Sequence, residues 1–493
     1  MIQINGIEEL TQQNIPELVD LIEPILKKRN NLYKRLTRSA NNSKVFYTGS
    51  INDTKIPFEQ FIHSIASGYF AGKKPIYSVE DNNNEERNKL IKEILGKDIT
   101  DKDYKNKMEI IIDYITKYND DGTEHYNLTS DVLGLTSCYE LLYENQDNEI
   151  VYCNLNPLQT VAIWDYSTPV NLIGLVRKYN VSDIKGNGKT IIEITDKNGT
   201  TTYNYDAKNK LANMIKMENH SWGDVPATVY ESDYSIFETV VDLIDAFEQI
   251  IQNNRNTFQY NDDAKLGVTG YAPQNPMFIQ KTLNDGTVVN VPNPERIKED
   301  DMVLQSKVVY FGENGKMEWI VKNINDTATQ NTIKTYMELI TMMSCVPNIT
   351  DTGFTNADNN SAIKNKYFAL SQKLIKMRKG FEQMYLRRFE LIFGRINLKK
   401  NTKFDFRDVK IEMPVNIPTN EQEEVDNILK LQGIISDETI ITKLGYNYIS
   451  EKEKMDDQTE ENIQNNINAM KQAENQTNEN EEETNVEVEA EEK

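Results

Sequence analysis

Two amphipathic segments flank a β-patterned insert, and the second runs straight into an Asn-rich stretch; no other feature restricts the fold as much. The first segment, SIFETVVDLIDAFEQIIQNNRNTF, spans Ser235–Phe258, and the second, NDTATQNTIKTYMELITMMSCV, spans Asn325–Val346. Stepping about 100° per residue places Phe237, Val240, Val241, Ile244, Phe247 and Ile251 on one helical face. Glu238, Asp242, Asp245 and Glu248 form a separate acidic stripe, solvated or facing a channel. The insert, Lys265 to Ile320, is β-rich, with hairpin turns expected at Asn284-Asp285-Gly286 and Glu313-Asn314-Gly315. The stretch PNITDTGFTNADNNS, Pro347–Ser361, then leads into a long basic helix. Such a layout suits copies packed side by side, each showing acid to something that must not stick.

A chain of 493 residues has ample material for a core, and its length suggests about three domains. With 38% hydrophobic and 27% charged residues, most of it is expected to fold. A net charge of −22 argues against tight grip on nucleic acid over a broad surface, which needs a basic footprint. Weak or brief contact with DNA stays open. Cys138, Cys153 and Cys345 are far apart and odd in number, so they read as reduced thiols. The N-terminus lacks a signal-peptide pattern, and no apolar run reaches membrane-spanning length. The expectation is a soluble chain made inside a cell, with no membrane contact.

Along the chain, IPELVDLIEPILKKRNNLYKRL reads as a helix with Pro16 at its start and a kink at Pro24. Pro57–Phe70 is a second helix, with Gly72 as a left-handed stop before the strand IYSVE. Helices are expected near Glu85–Leu95 and Tyr104–Tyr118. DVLGLTSCYELLYEN is helical or a long strand, and EIVYCNLN and TVAIWDYS alternate as strands. Leu172–Tyr205 reads strand, turn, strand, turn, strand, with turns at Lys185-Gly186-Asn187-Gly188 and Lys197-Asn198-Gly199. From Ser361 to Lys400, Ile363, Tyr367, Leu370, Leu374, Met377, Phe381 and Met384 recur at spacings of four and three, with a bend expected at Gly380. The strand FDFRDVKIEMPV follows, then two helices split at Gly433, with Ser436 as an N-cap. The Glu-dense tail after Asn475 is expected to be disordered.

Catalytic constellations are not visible. GNGKT, Gly186–Thr190, has Asp183 where a phosphate loop needs its first Gly, and it joins two strands. His63, His125 and His220 lack metal-ligand spacing, and one helix's carboxylates do not converge as ligands do. No metal, cofactor or enzymatic activity is expected. The long helix carries Lys364, Lys366, Lys373, Lys376, Arg378, Lys379, Arg387, Arg388, Arg395, Lys399 and Lys400 against Glu382 and Glu390. These side chains, Lys364, Lys366, Lys373 and Lys376 first among them, either touch DNA or a neighbouring subunit, or pair with acidic residues of the same protein.

Several blocks in their order resemble the portal proteins of tailed bacteriophages, in the branch typified by the SPP1 portal. ASGYFAGKKPIYS (Ala66–Ser78), SCYELLYENQDNEIVYCNLNPLQTVAIWD (Ser137–Asp165) and HSWGDVPATVYESDYSIFETVVDLIDAFEQIIQNNRN (His220–Asn256) carry the likeness. NGKMEWIVKNIND and PTNEQEEVDNILKLQGIISDETIITKL continue it, so that it covers roughly residues 15 to 460. Where the family often has Ser-Gly-x-Ala before the long helix, this chain has Asn360-Ser361-Ala362 and lacks the Gly.

The resemblance implies an α+β, multi-domain portal fold that assembles into a cyclic ring of twelve. By position, residues 1–234 would be a helical wing with β-hairpins, 235–260 and 324–346 a two-helix stem, and 261–323 a β-rich clip. Residues 347–361 would be a channel loop, 362–417 a long wing helix and strand, 418–474 a helical crown, and 475–493 the acidic tail. It further implies a place at the portal vertex of the virion after synthesis in the bacterial cytoplasm. The implied partners are other copies of the chain, the terminase packaging motor, a head–tail adaptor, major capsid and scaffolding proteins, and double-stranded DNA passing non-specifically. Lining residues would be the acidic stripe and, in the loop, Asn348, Thr350, Asp351, Thr352, Phe354, Asn356, Asp358 and Asn359. Twelve acidic stripes would repel phosphate and keep moving DNA centred. The competing reading is a head–tail ring or adaptor that never conducts DNA.

Overall fold

The computed structural model describes residues 2–38, 55–79, 104–182, 188–262, 265–269, 275–283, 286–305, 308–311, 317–320, 326–348 and 360–417, with isolated residues at 89, 93–94, 184 and 186 and short pieces between 430 and 462. It divides into two compact bodies, Met1–Thr355 with Asn365–Asn416, and Asn356–Lys364 with Ile417–Lys493. The first half of the chain runs β1 (Ile2–Gln3), α1 (Ile15–Leu36), α2 (Phe58–Ala71), β2 (Ile76–Val79), α3 (Tyr104–Tyr118) and α4 (Asp121–Leu135). Strands β3 (Ser137–Glu144), β4 (Ile150–Leu155), β5 (Thr160–Trp164), β6 (Leu172–Ser182), β7 (Gly188–Asp196), β8 (Gly199–Asp206), β9 (Leu211–Asn219) and β10 (Ala227–Glu231) follow. Next come α5 (Val241–Asp262), β11 (Lys265–Thr269), β12 (Phe278–Thr282), β13 (Val288–Pro292), α6 (Pro294–Gln305), β14 (Val308–Phe311), β15 (Met317–Ile320) and α7 (Asp326–Ser344). The chain continues through α8 (Asn360–Lys366), α9 (Phe368–Lys373), α10 (Ile375–Lys400) and β16 (Val409–Glu412). In the second body, α11 (Asp437–Lys443) starts at Ser436, whose Oγ accepts the Thr439 N–H at 3.3 Å, an N-cap bond.

The largest sheet has the order β1-β5-β6-β7-β8-β9, antiparallel apart from the β1–β5 pair. Its hairpins close at the two Gly-containing turns the sequence indicates, pairing Ser182 with Gly188 and Thr195 with Thr200. Helix α1 lies on this sheet because Ile15, Leu18, Val19, Ile22 and Leu26 share one face and meet Val161, Ile163, Val176, Ile192 and Tyr203. It starts with Pro16 in its first turn and runs on through Pro24. The second core joins β2, β16, α3 and α10 through Val79, Val409, Met108, Ile112, Phe389 and Phe393.

Several expectations change. DVLGLTSCYELLYEN is both structures: α4 ends at Leu135, Thr136 takes a left-handed turn (φ 71°), and β3 begins at Ser137. Gly72 is right-handed (φ −71°); a side chain there would overlap the Gly68 carbonyl and Asn416. In the insert, β12 and β13 form the expected hairpin, with Gly286 at φ 85°. The strands on either side of Glu313-Asn314-Gly315 do not pair with each other; β11 sits between them, parallel to β14 and antiparallel to β15. The expected Glu85–Leu95 helix lies almost wholly outside the described residues, as do Gly433, most of 418–474 and the tail.

The long basic segment is three helices, interrupted at Tyr367 and Leu374, where the backbone sits near φ −90°, ψ 0°. Its apolar stripe is buried as the spacing indicates: Tyr367, Leu370, Leu374, Met377, Phe381 and Met384 all face inward. Gly380 does not interrupt α10. Its place is fixed by Tyr230 of β10, whose ring occupies the space a Cβ would need. Gly380→Ala would gain about 1 kcal/mol of helix propensity. Displacing a packed ring costs about 1–3 kcal/mol, so the change is expected to be net destabilising. Denaturant unfolding of the purified chain checks this: a lower midpoint is predicted, and an unchanged or higher one would show that Tyr230 moves freely.

Candidate functional site

Helices α5 and α7 pack against each other. Helix α5 is entered through a 3-10 turn at Glu238–Val240, and Phe237, Val240, Ile244 and Phe247 are buried along its apolar face. Ser235-x-x-Glu238 makes half of a capping box, with the Glu238 carboxylate accepting the Ser235 N–H at 3.1 Å. Ser235 Oγ instead donates to the Leu133 carbonyl at 3.0 Å, tying the helix entry to the end of α4.

The acidic stripe does not form a free face. Glu248 is buried, 4% exposed, and accepts hydrogen bonds from Arg38 at 2.6 Å and from the Ile56 N–H at 2.8 Å. Lys55 approaches the same carboxylate at 3.7 Å. Asp245 is paired with Arg35, one guanidinium nitrogen donating at 3.1 Å, and those bonds hold its carboxyl below the usual aspartate range. Glu238 pairs with Lys28 at 3.0 Å. Both arginines also reach Glu59, fully buried in the first turn of α2, at 2.8 and 2.9 Å. Three of the four carboxylates thus bind α5 and the turn before it to α1 and the residues just after it, so the four do not form one free, solvated face. Asp242 is exposed and has no ion-pair partner among the described residues. The charge that pairs with the stripe sits elsewhere in sequence, with Lys28 and Arg35 on α1 and Arg38 just beyond its end.

The basic helix is likewise turned onto its own protein. Arg388 is fully buried in α10 and donates to Glu140 at 2.6 and 2.8 Å and to Asp121 at 2.5 Å. Its guanidinium lies between the rings of Tyr152 and Tyr385, 4.2 and 4.3 Å from their centroids. Tyr77 and Tyr152 donate to Asp121 at 2.9 and 3.0 Å, and Thr228 donates to Glu140 at 3.1 Å, so both carboxylates are solvated by protein. Arg387 pairs with Asp224 and Glu390, Arg395 with Glu144, Lys379 with Glu382 and Lys399 with Glu144. Lys376 is exposed and pairs with Asp233 at 2.6 Å. Lys364 is exposed and Lys366 half-buried. Lys373 is turned inward, donating to the main-chain carbonyls of Ile236 and Ser344, which corrects its reading as a DNA contact.

Of the loop residues, Asn348 is described and half-buried; Thr350, Asp351, Thr352, Phe354, Asn356, Asp358 and Asn359 lie outside the described residues. The histidines are scattered. His125, fully buried, shares a 2.5 Å hydrogen bond between Nδ1 and the Tyr385 hydroxyl, and burial lowers its pKa to about 4. Among the described residues no cluster of three or more His, Cys, Asp or Glu is placed to hold a metal, and no helix is long and apolar enough to cross a membrane.

With this geometry in place, the comparison with known families is decisive. The family model described as phage portal protein, SPP1 Gp6-like, matches residues 23–465. The chain belongs to that family. No curated protein matches it. Among solved structures, the portal-family chain is similar to a chain titled "Neck of native GTA particle computed with C12 symmetry", at 10% identity and a TM-score of 0.31. That match covers 68% of this chain and 84% of the other. A second, "Neck of empty GTA particle computed with C6 symmetry", has 10% identity and a TM-score of 0.28, covering 66% and 79%.

Two outcomes are expected for this portal-family chain. Arg388→Met strands Glu140 and Asp121 in the core and should cost about 3–5 kcal/mol, read as a large drop in the urea midpoint. Loss below about 1 kcal/mol would mean the pocket admits water to replace the guanidinium. Folded His125 stays neutral down to about pH 4, whereas an unfolded histidine protonates near 6.5. Its contribution is therefore complete above pH 6.5 and drains as pH falls toward 4, on the order of 3 kcal/mol in all. His125→Gln should flatten the dependence of unfolding free energy on pH between 6.5 and 4.5, and an unchanged slope would show that other groups set it.

Proposed function

We propose that the chain is the portal subunit of a tailed-phage head, forming a closed ring at one capsid vertex through which DNA is packaged and later released. The observation that carries this reading is the family match over residues 23–465, which spans nearly the whole chain. The paired helices α5 and α7 are then the stem, the β-rich insert between them the clip that meets the packaging motor and head–tail adaptor, and residues 347–361 the channel loop. Residues 1–234 and 362–417 serve as wing, and 418–474 as crown, toward capsid and genome. The protein acts as a structural conduit and not as an enzyme.

The chemistry of the conduit is narrower than four acidic side chains per subunit. In the proposed ring Asp242 supplies an exposed negative charge on α5, without an ion-pair partner among the described residues, repeated by symmetry around the bore, which weakens counterion-release binding that would stall DNA. Glu238, Asp245 and Glu248 fix the stem to the wing.

This division of labour separates two variants. Asp242→Lys is expected to leave subunit stability and ring assembly intact and to reduce DNA protected in an in vitro packaging reaction. Glu248→Lys places a cation against Arg38 and Lys55 in a buried position and should lower stability before any packaging step. Rings of the parent chain that never protect DNA in a competent reaction would favour the non-conducting adaptor reading. Equal packaging by Asp242→Lys and parent would remove Asp242 from the bore.

A further inference from the structure

Besides the ion pairs that tie α5 to α1, one lysine touches both stem helices where they meet the body of the subunit. Helix α7 ends at Ser344, Cys345 turns left-handed (φ 63°), and Val346 and Pro347 are buried behind it. Lys373, the last residue of α9, donates through Nζ to the Ser344 carbonyl and to the Ile236 carbonyl, both at 3.1 Å. Ser344 is the carbonyl end of α7, where a helix dipole attracts a cation. Ile236 lies in the turn that opens α5, itself bonded through its N–H to the Leu133 carbonyl at 2.9 Å. One ammonium therefore joins the exit of α7, the entry of α5 and the end of α9.

Charge neutralisation does not explain the placement. Among the described residues the partners of Lys373 are these two carbonyls, with the Cys345 side chain nearby, and no carboxylate lies within ion-pair distance. Burial lowers the ammonium's pKa, so the group is held charged against a desolvation cost by main-chain dipoles. Leu374, at φ −92° and ψ 0°, separates α9 from α10 immediately after Lys373. Three residues on, Lys376 is exposed and pairs with Asp233 at the surface, giving a control of like charge on the same segment.

We infer that Lys373 is a positioning residue that locks the end of α7 to the entry of α5, so that the two helices leave the body of the subunit as one unit. Its value to DNA passage rests on the portal reading above; the lock itself does not.

Cys345, directly beside the lock, is a built-in reporter. The full-length parent chain and its variants are treated with N-ethylmaleimide and labelling is read per cysteine by peptide mass spectrometry. Lys373→Met is expected to speed Cys345 labelling by about tenfold or more, the loss of a hydrogen bond to a charged group, with buried Cys138 unchanged. Lys373→Arg should restore the parent rate within about twofold, and Lys376→Met should not alter it. Parent-like labelling in Lys373→Met, equal acceleration at Cys138 and Cys345, or an effect of Lys376→Met as large as that of Lys373→Met would overturn the inference. Should Lys373→Met not fold, competitive acetylation of the parent chain decides. Lys373 is expected to react at least about tenfold more slowly than Lys376, and equal rates would overturn the lock. Failure of parent rings to package DNA would count against the portal reading and leave the labelling result standing.

Discussion

A buried guanidinium holds α4, β3, β10 and α10 together. Arg388 has no exposure to solvent, and removing it from water is affordable only because Glu140, Asp121 and two tyrosine rings surround it with charge and π-density. The arrangement is demanding in geometry. It requires α10 to present Arg388 at the point where α4 brings Asp121, β3 brings Glu140 and β10 brings Thr228. Tyr77 extends the network to β2, and β2 pairs with β16. Elements far apart in sequence are thus registered around one charge, which an apolar core alone would leave freer to slide.

The same principle, used with less burial, attaches α5. Arg35 and Arg38 bridge Glu59 on α2 to Asp245 and Glu248 on α5, and Lys28 reaches Glu238. Net charge hides this, because the chain as a whole carries −22 and invites a reading in which acid is there to repel. Much of the acid on α5 is structural and attractive. The basic excess of the long helix is structural too, since Arg387, Arg388 and Arg395 each have carboxylate partners within the subunit. Repulsion of DNA in the proposed ring then falls to fewer, exposed groups.

Periodicity made the paired helices, the meander of β6 to β8 and the buried stripe of the long helix legible, because each follows from one local pattern with period 3.6 or 2. The part of helix α4 before Asp131 was missed since its buried face includes Asp121, His125 and Thr129, polar residues that look exposed in a sequence and are packed in the fold. The three-stranded sheet of the insert was misread as a hairpin because an Asn-Gly turn signals a local pair, and nothing local reveals that β11 enters between its neighbours. The site was half legible. The acids of α5 and the cations of α9 and α10 were found by type, but apart from the i,i+3 pairs Lys379–Glu382 and Arg387–Glu390 their partners lie on other elements, from 29 to 248 residues away in sequence. Lys373 and Lys376 look alike in sequence; one turns inward to two carbonyls and the other outward to Asp233.

Whether copies of this subunit close into a ring is the claim on which the conduit reading turns. Native mass spectrometry of the purified full-length chain, with negative-stain images of the same sample, measures it directly. The account predicts a closed ring of about twelve copies with a central hole, built from heterologous contacts. A folded chain that remains monomeric at every concentration, or that forms open filaments, would contradict it.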